Sequence, residues 1–287
     1  MRIHSIPAFL FSITCFLSCL HQKESKELPG ESSAPKGILF IIGGGDRDDS
    51  LMKLMLDVSG WKPHELITAI TLCSAHDSAF FWINDQLEKM TGSRCVKFDS
   101  LAVHDEMKLD SLSRSKIIFI GGGDQSRMMK LIEGTAIKKI VQQAYSDGAT
   151  IGGTSAGASI MTERMITGKQ LLDTAYAATF PVIHSGNLEL KEGLGLLDSV
   201  IIDQHFIARS RYNRMLSAIL ENPEYQCIGI DEAAAIIVRS DSATVAGESQ
   251  VVVIENPGAV TKGNNHLIAG KNIHVSVYLP GEKFRIK

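Results

Sequence analysis

The sequence predicts an α/β fold, a single domain in which a three-layer sandwich is built around a mostly parallel sheet. From Lys36 onward, short apolar runs alternate with stretches of helical spacing. Runs that are apolar throughout are typical of parallel strands buried on both faces, so helices are expected on each side of the sheet. With 44% hydrophobic residues, the 287-residue chain can form one large core or two small ones, and it shows no internal repeat.

The predicted elements follow in chain order. Strands are expected at 37–42, 66–72, 96–98, 116–120 and 149–153. Helices are expected between them at 51–58, 78–90, 126–133 and 136–147. Residues 163–200 are interpreted as irregular, with an ambiguous apolar segment at 175–183. The second half is expected to contain a helix at 210–220 and strands at 200–203, 227–231, 235–238, 251–254, 273–278 and 284–286, the last three antiparallel.

Three of the predicted strands end in glycines, at 43–45, 121–123 and 152–153. Sites in sheets of this type gather at the carboxyl ends of the strands, so these turns are expected to meet at one edge. Neither Gly-Gly-Gly-Asp loop has the spacing of a phosphate-binding loop or of a dinucleotide fingerprint. The sequence therefore disfavours nucleotide binding.

The first residues have the pattern of an export signal. Residues 1–19 contain an apolar stretch from Ile6 to Leu17 followed by Ser18-Cys19, which resembles a bacterial lipidation motif at Cys19. Residues 20–36 are expected to be a flexible tether, and residues 37–287 the catalytic domain. A lipoprotein of the cell envelope (outer membrane or periplasm) is predicted, with plain secretion and an uncleaved anchor as alternatives. A lipid anchor would then be the one membrane attachment.

Charge and cysteine content narrow the class further. The net charge of −3 supplies no basic surface for nucleic acid. Cys73, Cys95 and Cys227 are scattered and odd in number, so no disulfide framework is expected; Cys95 and Cys227 are interpreted as small buried residues. No metal-binding motif occurs, and neither a metal nor another cofactor is predicted.

The candidate nucleophile is Ser155. Residues 152–159 read Gly-Gly-Thr-Ser-Ala-Gly-Ala-Ser directly after a predicted strand. A G-x-S-x-G turn between a strand and a helix holds its serine in a strained bend, with the hydroxyl projecting into a cleft. The N–H of Ala156 then lies at a helix N-terminus and can stabilise an oxyanion. The alternative is a tight structural turn without chemistry.

A nucleophilic serine needs a base and an orienting carboxylate. His205 follows the strand at 200–203, and Glu232 follows the strand at 227–231, so both are expected at the same edge as Ser155. Asp203 is a competing acid, as are Asp173 and Glu189 in the irregular segment. Asp231 is expected to point to the other face. The order serine, histidine, acid differs from that of ordinary α/β-hydrolases.

Arg209, Arg211 and Arg214 follow His205. Guanidinium groups form bidentate pairs with carboxylates, so a cluster beside a catalytic edge suits an acidic substrate. The alternative is a solvated helix face with salt bridges. Gln125, which follows the glycines at 121–123, is expected to point into the same cleft.

Four motifs in the same order resemble the cyanophycinases of peptidase family S51: Gly121-Gly122-Gly123-Asp124-Gln125, residues 152–158, Asp203-Gln204-His205-Phe206 with the three arginines, and Gly229-Ile230-Asp231-Glu232. The resemblance covers roughly residues 37–255. It implies a class I glutamine-amidotransferase-like fold and a homodimer. It also implies the triad Ser155, His205 and Glu232, with Gln125, Asp203, Gln204 and the three arginines as the substrate pocket.

The resemblance further implies a serine exopeptidase that degrades cyanophycin, a polyaspartate carrying arginine on its β-carboxyls, to β-Asp-Arg dipeptides. The N–H groups of Gly123 and Ala156 are the expected oxyanion donors. Three alternatives stay open: an aspartyl or isoaspartyl dipeptidase of the same family, a non-catalytic lipoprotein that binds acidic peptides, and a general esterase. An exported enzyme would attack the polymer or isoaspartyl peptides from outside the cell.

Overall fold

The computed structural model describes Met1 and residues 35–173, 175 and 177–287. Residues 2–19 of the predicted signal, including Cys19, and nearly all of the predicted tether lie outside these residues. The helices are α1 Asp49–Ser59, α2 Ser78–Thr91, α3 Glu106–Ser113, α4 Gln125–Ile132, α5 Ile137–Asp147, α6 Ala156–Ser159 and α7 Tyr212–Glu221. The strands are β1 Ile38–Ile42, β2 Ile67–Ile70, β3 Val96–Phe98, β4 Ile117–Ile120, β5 Thr150–Thr154, β6 Arg164–Gln170, β7 Leu188–Glu192, β8 Val200–Gln204, β9 Gln226–Ile230, β10 Ala234–Arg239, β11 Ser242–Gly247, β12 Val251–Glu255, β13 Gly258–Lys262, β14 Ile268–Lys271, β15 His274–Tyr278 and β16 Lys283–Arg285.

The central sheet has eight strands in the order β16-β11-β10-β1-β5-β4-β2-β3. The half from β1 to β3 is parallel, whereas β10, β11 and β16 add to it in antiparallel pairs. The sheet is therefore mixed, with a parallel half that carries the predicted strands of the first 154 residues. Its strands β1, β2, β4 and β5 are buried at every residue, as the uniformly apolar runs predict.

Helices cover both faces of this sheet. Leu39 and Ile41 of β1 share a core with residues of α4 and α5, whereas Phe40 and Ile42 share a core with α1 and α2. This alternation follows from the two-residue period of a strand, and it gives the three predicted layers. Within the described ranges, no helix is both long and apolar enough to cross a bilayer.

A second sheet carries the residues that follow the first. Its order is β15-β12-β9-β8, with β8 and β9 parallel and the other pairs antiparallel. Ile202 and Ile228 face the main core, whereas Ile201 and Cys227 pack with residues of α7 on the opposite side. Gln204 pairs with Ile230, so the residues after β8 and β9 emerge side by side.

Four features differ from the sequence-based expectation, the first being strand β11, for which no element was predicted. Residues 163–200, predicted to be irregular, contain the antiparallel pair β6–β7, whose register shifts between Ile166 and Gln170 and so breaks the expected alternation. Helix α3 was not predicted, because Leu112 is its one buried residue and its apolar stripe is weak; Asp105 caps it. The pair β13–β14 also has a register shift and was not predicted. Cys73, Cys95 and Cys227 are buried free thiols, as expected for the last two.

Candidate active site

Ser155 lies in the strand-to-helix turn that the sequence predicts. Strand β5 ends at Thr154, Ser155 adopts φ 54° and ψ −110°, and α6 begins at Ala156. A positive φ at a non-glycine residue is strained, as in the bend that presents a nucleophile. A side chain at Gly157 would meet the carbonyl oxygen of Ile120 at 2.2 Å, so glycine is needed for the close approach of α6 to β4.

His205 and Glu232 continue from Ser155 in one hydrogen-bonded chain. The hydroxyl Oγ of Ser155 lies 2.9 Å from Nε2 of His205, and Nδ1 of His205 lies 2.5 Å from Oε1 of Glu232. The carboxylate can only accept, so Nδ1 carries the ring proton and Nε2 is left to accept from the serine. Asp203 bonds elsewhere, and no bond joins His205 to Asp173 or Glu189 in the part of the chain described. The arrangement is that of nucleophile, base and orienting acid.

Consecutive carbonyl groups at the end of β1 hold Ser155, His205 and Ala233, the residue after Glu232. The carbonyl of Ile42 accepts from the N–H of Ser155 at 3.1 Å, that of Gly43 from His205 at 2.8 Å, and that of Gly44 from Ala233 at 3.0 Å. Sequence reasoning placed the glycines 43–45 at the correct edge but gave them no role. The run of glycines could have indicated this role from the sequence, because any residue with a Cβ at position 44 would collide with the ring of His205.

Burial is the main cause that lowers the pKa of His205 below its ordinary value. The hydrogen bond to Glu232 opposes this and raises the pKa, while the charge of the neighbouring Arg209 lowers it again. The net direction is downward from 6.5, so the imidazole is neutral at neutral pH and free to take a proton.

A cavity of about 270 Å³ opens beside Ser155 and collects most of the predicted pocket residues. Its lining contains Gly123, Ser155 and Gln204, together with Gln125 and the three predicted arginines 209, 211 and 214. Strand β6 adds residues 167–169, which sequence reasoning missed because it interpreted that segment as irregular. The amide of Gln125 donates to the carbonyl of Ile166 at 2.7 Å and so ties α4 to β6 across the cavity floor.

Asp203 differs from the sequence-based expectation, which placed it among the substrate-contacting residues. Its side chain is fully buried beneath the cavity, and Arg214 Nε donates to it at 2.6 Å while Arg211 Nη1 lies 3.4 Å away. A buried carboxylate must be paired, and these two guanidinium groups pair it. Asp203 therefore orients the arginines from below.

The arginines accordingly fall into two kinds. Arg211 and Arg214 are 3% and 2% exposed, so the alternative of a solvated helix face is wrong for them. Arg209 has a side chain that is 40% exposed, and its Nε lies 4.0 Å from Oε1 of Glu232. Its cation is thus the one of the three that is presented to solvent at the cavity mouth.

The predicted oxyanion donors flank Ser155. Ala156 is the first residue of α6, and Gly123 lies in the loop after β4, whose neighbouring Gly122 would bring a Cβ within 4.0 Å of the Ser155 hydroxyl. In the described chain, neither N–H forms a hydrogen bond to another protein group. Both are thus available to an oxygen bound at the serine.

Burial raises the pKa of the Cys73 thiol to about 12, which keeps it protonated and unreactive. Across the ranges described, no three histidine, cysteine or carboxylate side chains are grouped as ligands of a metal ion.

Comparisons with known proteins point to one family. The sequence model of peptidase family S51 matches residues 71–246. A cyanophycinase of Trichormus variabilis is 31% identical over 184 residues, which cover 61% of this chain and 59% of that protein. A cyanophycinase of Synechococcus elongatus is 29% identical and covers 78% of this chain and 70% of its own. Peptidase E of Haemophilus influenzae is 23% identical and covers 52% and 62%.

Solved structures agree on the fold. A peptidase from an acI-B1 Actinobacterium superposes with a TM-score of 0.62 at 18% identity, over 87% of this chain and 97% of that one. A putative Peptidase E protein from Listeria monocytogenes EGD-e gives 0.53 at 17% identity, over 74% and 99%. The fold is that of the class I glutamine-amidotransferase-like peptidases. This chain spans less than two thirds of the first cyanophycinase that it matches.

Proposed function

The chain belongs to peptidase family S51 and is a serine-type peptidase, and from this premise we propose that it is an exopeptidase acting on cyanophycin or β-aspartyl peptides. The proposed products are β-Asp-Arg dipeptides. The observation that carries the proposal is the hydrogen-bonded chain Ser155–His205–Glu232 beside a cavity lined by three arginines. Cyanophycinases among its relatives support the substrate class.

The proposed reaction is acyl transfer. Ser155 Oγ attacks the scissile carbonyl while Nε2 of His205 accepts the hydroxyl proton, and Glu232 stabilises the imidazolium that forms. The N–H groups of Gly123 and Ala156 bind the oxyanion of the tetrahedral intermediate. His205 then gives its proton to the departing amine, and a water molecule, deprotonated by the same imidazole, hydrolyses the acyl-enzyme and restores Ser155.

The cavity suits a small substrate with free carboxylates. Arg209 presents its cation at the mouth, whereas Asp203 holds Arg211 and Arg214 in place before substrate arrives. Such pre-ordered guanidinium groups lose little entropy on binding. Gln125 and Gln204 add amide groups at the same wall, and Oε1 of Gln204 lies 3.4 Å from the serine hydroxyl.

The volume of the cavity favours a second candidate as well, an aspartyl or isoaspartyl dipeptidase. About 270 Å³ accommodates a dipeptide-sized group, and Peptidase E is among the similar proteins. The two candidates share the serine mechanism and differ in whether a polymer is accepted.

The test is incubation of the purified protein with cyanophycin and with β-aspartyl dipeptides, with products identified by mass. Release of β-Asp-Arg from the polymer supports the first candidate, and cleavage of dipeptides alone supports the second. We expect Ser155→Ala to remove at least about 10³-fold of the activity while melting at the wild-type temperature. Full activity in that variant, or no cleavage of either substrate by the wild type, refutes the proposal.

Export, lipidation at Cys19 and a homodimer belong to the same proposal. They are supported by the apolar segment before Ser18-Cys19 and by the family resemblance. Incorporation of labelled palmitate that is lost in Cys19→Ala tests the anchor, and analytical ultracentrifugation tests the dimer. A monomer, or labelling that survives the substitution, contradicts the respective part.

A further inference from the structure

A larger groove adjoins the catalytic cavity. It has a volume of about 980 Å³ and is lined by α4, the start of α5 and strands β6 and β7. Asp124 and Lys169 line both the groove and the catalytic cavity, so the two are adjacent at these residues. A substrate that extends from the catalytic cavity past Asp124 and Lys169 would therefore reach the groove.

The groove is basic although the chain as a whole is acidic. Its lining contains six cationic side chains and three carboxylates, those of Asp124, Glu133 and Glu192. The full sequence, in contrast, has a net charge of −3. The cations are Arg127, Lys130, Lys138, Lys139, Lys169 and Lys191. A concave surface of one sign attracts a ligand of the opposite sign.

Four of these six cations form no ion pair with a carboxylate in the described residues: Arg127, whose guanidinium donates to the carbonyl of Leu72, and three lysines. Lys138 pairs with Glu192 at 2.5 Å and Lys191 with Glu189 at 3.4 Å. Lys130, Lys139 and Lys169 lie more than 4.0 Å from every carboxylate oxygen of residues 35–173, 175 and 177–287. All three are exposed, so their charges are available to a bound ligand.

The length of the groove matches a short run of extended peptide. Helix α4, which forms one wall, has eight residues and is thus about 12 Å long. An extended chain rises about 3.3 Å per residue, so this wall spans about four residues. Met129, which is half-buried, supplies apolar surface between the charges, against which the methylene groups of long side chains can pack, while Ile132 and Met165 are buried behind it.

We propose that this groove binds the part of a peptide substrate that continues beyond the unit held at Ser155, through the free carboxylate that each unit carries. The proposal rests on the proposed function, since it assumes a substrate with repeated carboxylates. The free lysines pair with the carboxylates of successive residues, and Glu133 is placed to receive a guanidinium where the substrate carries one. The groove then favours long substrates over short ones without contributing to the chemistry.

The variant Lys130→Glu/Lys139→Glu tests this, with Lys53→Glu/Lys62→Glu as matched control. The control changes two equally exposed lysines that line a separate cavity beside Trp61. We expect the ratio of kcat/KM for cyanophycin to that for a two-unit fragment to fall about tenfold in the groove variant at low salt. The control should keep the wild-type ratio, and an unchanged ratio in the groove variant overturns the proposal.

A binding measurement separates failure of the groove from failure of the proposed function. Fluorescein-labelled decaaspartate is titrated into Ser155→Ala protein with and without the groove substitutions, and anisotropy gives Kd. We expect about tenfold weaker binding in the groove variant, which supports the groove even if the wild type cleaves no β-aspartyl peptide. Equal Kd values for the two proteins refute the proposed groove. If the Kd is unchanged but the groove variant sediments differently, the groove is an interface between copies of the chain, and the proposal is again refuted.

Discussion

Gly44 offers a test of whether the end of β1 sets the geometry of the base. Its φ is +120°, and a Cβ placed there would lie 2.4 Å from Cε1 and 2.5 Å from Nε2 of His205. The backbone carbonyl of the same residue accepts from Ala233, so Gly44 contacts the elements that carry both His205 and Glu232. We therefore consider the substitution Gly44→Ala.

The magnitude follows from the overlap. Carbon atoms in contact prefer about 3.5 Å or more, so the imidazole must move by about 1 Å to admit the methyl group. The Ser155–His205 separation is already 2.9 Å, and little of such a shift can occur without loss of the hydrogen bond. A misplacement of about 1 Å costs about 10²-fold in rate, and we expect kcat to fall by at least that factor.

The assay measures kcat on a β-aspartyl peptide and the rate at which a serine-directed phosphonate labels Ser155. Gly60→Ala is the matched control, because Gly60 also has a positive φ of 63° but nothing lies within 4 Å of its Cβ position. Backbone strain costs about 1 kcal/mol in Gly60→Ala and at least as much in Gly44→Ala, so both variants should melt at a lower temperature than the wild type, but the control should keep its kcat. A Gly44→Ala enzyme with kcat within about twofold of wild type refutes the reasoning.

Two further predictions concern charge. Because burial lowers the pKa of His205, the acid limb of the pH profile of kcat/KM should have its midpoint below 6.5. Arg209→Gln should raise that midpoint, because it removes a cation that disfavours the imidazolium. A midpoint above 6.5 in the wild type, or a lower midpoint in the variant than in the wild type, contradicts this prediction. Asp203→Ala leaves two buried guanidinium groups without their carboxylate, and urea denaturation should show a loss of about 3–5 kcal/mol in unfolding free energy. Asp241→Ala, which breaks an exposed pair with Arg285, should cost less than about 1 kcal/mol, and equal losses in the two variants would refute the buried-pair argument.

Local sequence determined much of the fold and the candidate nucleophile. The parallel half of the main sheet follows from uniformly apolar runs such as residues 38–42, because strands buried on both faces exclude polar side chains. The turn at Ser155 follows from its glycines, since neighbouring backbone approaches too closely for any Cβ. These features depend on interactions over a few residues or on burial, and both can be predicted from the composition and spacing of residues in the sequence.

The relations between distant segments were decided by tertiary structure alone. Sequence reasoning could not show that β8 and β9 belong to a second sheet, because an apolar run records burial but not its pairing partner. It left Glu232 in competition with Asp203, and only packing separates them: one carboxylate reaches His205, while the other is buried against Arg214. The sequence by itself thus identified the chemical groups, whereas the register of the two sheets and the carbonyl groups at the end of β1 decided which of them meet.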